Sequence, residues 1–274
     1  MSALLKITKE LLTVHNRRPR KSLGQNFLVD PQVLQRIINA AELSSYDVVL
    51  EIGTGLGVLT DALAENSEKV ITLDPDKEMI QMAKKVLAKH SNVEYISESF
   101  LIWDFSSKGD DSNHRLLPFN KIVANVPYYI TTPIIEKILS WEKRPDLVVL
   151  TVQKEVAERI VSNPGSKRYG SFSVFVQNKA EAKIKSFVSR RSFYPAPNVE
   201  SAILVLKPYE KPLYDIDERI VRSAFSQRRK TIKNTLKQFN IGFEKIGIDS
   251  KRRPETLSLE EFEKISLSCK PLNS

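Results

Sequence analysis

Residues 47–57, "DVVLEIGTGLG", run from an apolar strand straight into three alternating glycines, and "GVLTDALAE" continues at helical spacing. A strand that turns through glycine into a helix opens a βαβ unit, and it commits the chain to strands that lie parallel. The pattern then repeats. "KVITLDPD" reads as a second strand, and "KEMIQMAKKVLAKH" as an amphipathic helix with Met79, Met82, Val86 and Leu87 on one side. "NVEYISES" and "FNKIVANVPYY" read as further strands. "TTPIIEKILSW" restarts a helix with proline in its first turn, and "DLVVLTVQ" is a buried strand followed by the helix "KEVAERIVS". This alternation predicts an α/β fold with a mostly parallel sheet covered on both faces. "KAEAKIKSFVS" and "VESAILVLKP" leave little room for a helix between them, so an antiparallel pair is expected at the end of the sheet.

The pattern changes after "VLKPYEKP". From Asp215 onward the spacing is helical, and Val221, Phe225, Ile232 and Leu236 form an apolar stripe with the basic residues largely off it. The boundary falls near Pro208 to Pro212. Residues 1–208 are expected to form the α/β domain with a basic N-terminal segment, and residues 209–274 a small all-helical domain.

Charge narrows the partners. The net charge of +9 favours a polyanion, with nucleic acid ahead of an anionic membrane. The basic residues cluster: Arg17, Arg18, Arg20 and Lys21 precede the first glycine-rich segment, and Arg222, Arg228, Arg229, Lys230, Lys233 and Lys237 fall in a stretch without an acid. The single cysteine, Cys269, excludes an internal disulfide and points to a reducing compartment. No apolar run approaches the roughly 20 residues that span a bilayer. The N-terminus lacks a long apolar region and a small-residue cleavage pattern, so a cytoplasmic protein is expected.

Gly53, Gly55 and Gly57 form G-x-G-x-G, with Val58 where a dinucleotide loop wants glycine or alanine, and there is no G-K-[ST]. A nucleoside cofactor without phosphates fits better, and S-adenosylmethionine is the commonest. Asp74, at the end of the second strand, is placed to accept from ribose hydroxyls, or it caps the next helix as Asp76 also would. Glu98 closes the third strand, either as acceptor for an adenine amino group or as an exposed strand-end acid.

"ANVPYYITTP", residues 124–133, is the stretch with chemistry in it. The exocyclic amine of adenine is a poor nucleophile because its lone pair is delocalised into the ring. Two acceptors on its two N–H groups pull the nitrogen toward tetrahedral geometry. The Asn125 side-chain oxygen is one; the Val126 carbonyl is the other, since Pro127 restricts the residue before it to an extended conformation. Tyr128 offers a ring face for the base. The alternative is an ordinary strand-end loop with Tyr128 and Tyr129 packed in the core; Tyr129 is expected there in either case.

Together with "KSLGQNFLVD", "QKEVAERI", "SFYPAPNVESAILVL" and "AFSQRRKTIKNTL", in that order, these motifs resemble the ribosomal RNA small-subunit adenine dimethyltransferases, the kasugamycin-resistance methyltransferases, over nearly the whole chain. The resemblance implies a Rossmann-like S-adenosylmethionine-dependent domain plus a small helical domain. It implies N6,N6-dimethylation of two adjacent adenines near the 3′ end of small-subunit rRNA, on rRNA or an assembling subunit, by a monomer that needs no metal. It also implies that Asn26, Leu28, Gly53, Gly55 and Asn125 contact the cofactor and that Phe193 sandwiches the target base opposite Tyr128; read locally, Phe193 is equally a core residue of a proline-rich turn. Thr72 stands where the family usually has glutamate, so the ribose contact falls to Asp74 or is weakened; Glu98 replaces an aspartate. Two other functions fit a chain of this kind: a non-catalytic rRNA-binding assembly factor, and a large-subunit rRNA adenine methyltransferase.

Overall fold

The computed structural model describes residues 2–20, 24–104, 117–227 and 229–269. The chain divides into two compact units, one of residues 1–157 and 183–208, the other of residues 158–182 and 209–274.

In the first unit, helix α1 (Ala3–Val14) is followed by the short strand β1 (Phe27–Leu28) and helix α2 (Pro31–Ala41). Then come β2 (Val48–Ile52), α3 (Val58–Ala64), β3 (Lys69–Leu73), α4 (Lys77–Val86), β4 (Val93–Ile96) and β5 (Lys121–Asn125). Helix α5 (Thr131–Ser140), strand β6 (Leu147–Gln153) and helix α6 (Lys154–Ile160) complete the run of alternating elements. Helix α7 (Ser171–Lys179) belongs to the second unit; β7 (Ala180–Val188), which returns to the first at residue 183, the two-residue β8 (Phe193–Tyr194) and β9 (Ser201–Pro208) follow.

The main sheet has the order β4-β3-β2-β5-β6-β9-β7. Its β2–β3, β3–β4, β2–β5 and β5–β6 pairs are parallel, and β9 runs antiparallel to β6. The late strands β7 and β9 are neighbours, as their spacing predicts. Consecutive residues of a strand face opposite sides of the sheet. Val49, Leu50, Glu51 and Ile52 are all buried, so both faces of the central strand β2 are covered. On one face Val33, Ile37, Ala40 and Ala41 of α2 pack with Val49, Val70, Val123, Val149 and Ile203. Asp30 starts α2 by accepting from Gln32 and Val33 N–H groups at 3.0 and 3.4 Å, with Pro31 in the first turn. On α4, Met79 and Met82 are buried as expected, whereas Val86 is 40% exposed and Leu87 takes the inward place.

The second unit has its own core. Tyr169 and Val174, from α7 and the loop before it, pack with Ile220, Val221, Ala224, Ile232, Leu236, Phe262 and Ile265. Its later helices are α8 (Glu218–Ala224), α9 (Ile232–Thr235) and α10 (Leu259–Ser268). Ser258 and Glu261 form a reciprocal cap on α10. The sequence reading drew one boundary near residue 208, but residues 158–182 also belong to this unit. Asn178 shows why: its amide donates to the Tyr214 carbonyl at 3.0 Å and accepts from the Tyr214 N–H at 2.9 Å, fastening α7 to the segment that leads into α8. The expected continuous basic helix is also corrected. Helix α8 ends at Ala224 and α9 begins at Ile232, so Arg229 and Lys230 lie in the loop between them.

Candidate functional site: a cleft at the strand ends

Ligands of open α/β sheets gather at the carboxyl ends of the strands. Here a cleft of about 730 Å³, counting its open mouth, is lined by residues that follow β2, β3 and β5 and by the segment 24–28. Gly53 leaves β2 at φ +92°, and its N–H donates to the Leu73 carbonyl at 2.8 Å, which ties the glycine loop to the end of β3. Gly57 has φ +82°, and a Cβ there would come within 2.9 Å of the buried Leu87 side chain, so glycine is required on two counts.

Asp74 and Asp76 divide the work that the sequence left shared. Asp76 caps α4, accepting from the Glu78 N–H at 3.1 Å. Asp74 is 9% exposed, lines the cleft, and accepts from the N–H groups of Gly55 at 3.1 Å and Asp76 at 2.9 Å. Burial raises its pKa, the two N–H bonds oppose the rise, and the charge of Asp76 adds to it. Thr72 is corrected as a cofactor contact. It is fully buried, its hydroxyl is 2.7 Å from Glu51 Oε2 and 2.6 Å from Thr54 Oγ1, and it does not line the cleft.

Glu51 is the residue that sequence reading missed. It is fully buried, lines the cleft, and its Oε2 accepts from Thr60 at 2.6 Å and from Thr72. Its Oε1 is buried without a hydrogen-bond partner among the described residues. Burial pushes its pKa up to about 8, against the bonds from Thr60 and Thr72, with the charge of Asp74 adding to the rise. Burial thus favours the protonated, neutral form of this carboxyl over the charged one. The signal was present in the sequence as one glutamate inside an apolar central strand, "VVLEI".

At the end of β5, the Asn125 Nδ2 donates to the Asn26 carbonyl at 3.0 Å, so the amide oxygen faces away from that bond and is an acceptor. Val126, 2% exposed, and Pro127 (φ −59°, ψ 133°) lead into a 3-10 turn, Tyr128–Ile130. Tyr128 lines the cleft, and its hydroxyl is 2.6 Å from Ser201 Oγ. Burial raises the Tyr128 pKa, so the phenol stays protonated. Tyr129 is corrected: it is 61% exposed, not in the core.

Phe193 lies where its local reading as a core residue puts it. Strand β8 pairs antiparallel with β1, and the register sets Phe193 opposite Leu28. Phe193 is 3% exposed, within the core that contains Leu28, Val188 and Ile203. Asn26 and Leu28 do line the cleft. Glu98 is half-buried two residues beyond β4 and does not line it. The loop that follows Glu98 is held by Lys137 of α5, whose Nζ donates to the carbonyls of Phe100, Leu101 and Trp103 at 2.7, 3.1 and 2.8 Å. Burial lowers the Lys137 pKa, against the charges of Asp104 and Glu98.

Among the described residues no lysine, arginine or histidine lines the cleft, and the ionisable side chains that line it are Glu51, Asp74 and Tyr128. A phosphate would meet carboxyl groups there, whereas a cationic sulfonium nucleoside with ribose hydroxyls fits. The basic residues lie elsewhere. Arg17 is bound to Asp76 at 2.7 Å and to Glu78, and Arg20 lies 3.7 Å from Asp76. Arg18, Arg222, Arg229, Lys230 and Lys233 are exposed, Arg222 being 3.7 Å from Glu218. Lys21 and Arg228 lie outside the described residues. Asp61, Glu65 and His90 come together, with Lys89 Nζ 3.0 Å from both carboxylates as counter-charge. Among the described residues no helix is long and apolar enough to cross a membrane.

A family model described as ribosomal RNA adenine dimethylase matches residues 16–270. A ribosomal RNA small subunit methyltransferase A of Clostridium botulinum (strain Kyoto / Type A2) is 40% identical over 271 residues, covering 94% of this chain and 97% of the relative. A protein of the same name from Bacillus mycoides (strain KBAB4) is 40% identical over 280 residues, 94% of each chain. The solved structure of a dimethyladenosine transferase from Plasmodium falciparum is similar with a TM-score of 0.74 and 29% identity, over 88% of this chain and 96% of that one. The fold is also that of the 23S rRNA methyltransferase ErmE, at a TM-score of 0.67 and 24% identity. With a family match that covers nearly all of its length and relatives this similar, the chain belongs to the ribosomal RNA adenine dimethylase family.

Proposed function

We propose that this protein methylates the N6 amine of adenine in small-subunit rRNA, twice per base, with S-adenosylmethionine as methyl donor. The observation that carries the reading is the Asn125–Asn26 hydrogen bond, which orients the Asn125 amide oxygen as an acceptor beside the cleft. Bound there, S-adenosylmethionine supplies an electrophilic methyl group. The Asn125 oxygen and the Val126 carbonyl each take one N–H of the adenine amine, Pro127 fixes that carbonyl, and the Tyr128 ring supports the base. Rate comes from positioning. No side chain has to act as a strong base, because the methylated amine is cationic on an electron-poor ring and gives its proton to water.

Asp74 accepts from the ribose hydroxyls of the donor. Glu98 is the acceptor for its adenine amino group; support for this is that the Asp74 N–H donates to the Ile96 carbonyl at 3.1 Å, two residues before Glu98. The second unit binds rRNA through Arg222, Arg229, Lys230 and Lys233, with Arg18 and Arg20 as contacts of the N-terminal segment. The targets are two adjacent adenines near the 3′ end, on rRNA or an assembling small subunit, reached by a cytoplasmic monomer. The test is incubation of unmethylated small and large ribosomal subunits with labelled S-adenosylmethionine. Label in small-subunit RNA supports the reading; label confined to large-subunit RNA, or none, defeats it.

A further inference from the structure

We propose that Tyr129 is a stacking surface for the nucleotide that adjoins the target adenine in the RNA strand. This rests on the reading of residues 125–128 as the amine-holding turn. Tyr128 and Tyr129 are consecutive in one 3-10 turn, yet the fold treats them in opposite ways. Tyr128 is drawn inward, its hydroxyl fixed to Ser201. Tyr129 stays 61% exposed, and among the exposed large apolar residues it is the one that directly follows a residue lining the cleft.

One edge of its ring lies over the side-chain-free position of Gly24. Gly24, itself part of the cleft lining, has φ +58°, and a Cβ added to it would meet Tyr129 Cδ1 at 3.3 Å and Cε1 at 3.6 Å. The ring thus leans on Gly24 at the mouth of the cleft and leaves the rest of its surface to solvent. A strand whose adenine enters the cleft loses the stacking between that base and its neighbour. An aromatic face at the mouth replaces the lost partner without reading its identity, since every base has a π-face.

The test compares Tyr129→Ala, Tyr129→Leu, Tyr129→Phe and Tyr129→Trp in the full-length protein, by steady-state methyl transfer to unmethylated small subunits. S-adenosylhomocysteine affinity serves as the check on folding. Stacking predicts that Ala and Leu lower kcat/KM by about 5- to 100-fold, chiefly through KM, and that Phe and Trp stay close to the parent. All four should bind S-adenosylhomocysteine like the parent. Leu is bulky enough to cover Gly24 but has no π-face, so a Leu variant with parental kcat/KM overturns the proposal, as does an Ala variant that is unimpaired. If the parent itself places no methyl on adenine, the reading of the cleft has failed; if it does and all four variants match it, only the Tyr129 assignment has.

Discussion

The Asn125 side-chain amide donates to the backbone carbonyl of Asn26 across 3.0 Å, joining two positions 99 residues apart in the chain. That single bond decides which end of the Asn125 amide is left for a substrate. Asn125→Ala removes the acceptor and should lower kcat for adenine methylation by at least ~100-fold, the scale of losing one oriented polar group at a reacting centre. RNA affinity, followed by filter binding, should stay unchanged. Transfer at the parental rate would remove Asn125 from the mechanism.

Asp74 and Thr72 should separate cleanly. Asp74 borders the cleft, whereas the Thr72 hydroxyl is bound to Glu51 and Thr54 behind it. In calorimetric titration with S-adenosylhomocysteine, Asp74→Ala should weaken binding more than Thr72→Val. In chemical denaturation the order should reverse, because Thr72→Val deprives a buried carboxyl of a donor, at a cost of roughly 1–3 kcal/mol. A larger loss of affinity from Thr72→Val would return the ribose contact to position 72.

Glu51 gives stability a definite pH dependence. Its ordinary value is 4.5 and burial raises it to about 8 in the fold. Between those values the native state holds a proton that the unfolded chain has lost. The stability contributed is therefore full below pH 4.5 and is lost as pH rises toward 8, by up to ~1.4 kcal/mol per unit. Glu51→Gln mimics the protonated side chain and should remove that slope. Urea denaturation from pH 5 to 9 checks it; parallel curves for parent and variant would contradict it.

Arg229 and Lys230, exposed between α8 and α9, should contribute to RNA binding through charge alone. Replacing both with alanine should lower affinity and reduce the slope of log affinity against log salt by roughly 1.4, at about 0.7 per contact on single strands. An unchanged slope would place the RNA elsewhere.

Most of the cleft was legible because its parts are local. A strand, a glycine loop and a strand-end acid declare themselves within a few residues, and so does an asparagine–proline–tyrosine turn. What escaped depends on long-range register or on burial. Phe193 reads locally as either a core residue or a stacking aromatic, and its burial follows from the β1–β8 pair, which sets it against Leu28. Glu51 and Thr72 look unrelated in sequence, but β2 and β3 are parallel with Glu51 opposite Thr72, and a buried hydrogen bond follows. The basic stretch after Ala224 has helical spacing, yet the apolar stripe is satisfied by two short helices that both reach the same core, leaving Arg229 and Lys230 on the loop between them.

In the proposed function, the turn after β5 holds the adenine amine for methyl transfer. The most direct measurement is nucleoside mass spectrometry of unmethylated small subunits after reaction with the parent and with Asn125→Ala. N6,N6-dimethyladenosine is expected from the parent and unmodified adenosine from the variant. A methyl group on any other nucleoside, or equal dimethyladenosine from both proteins, would contradict it.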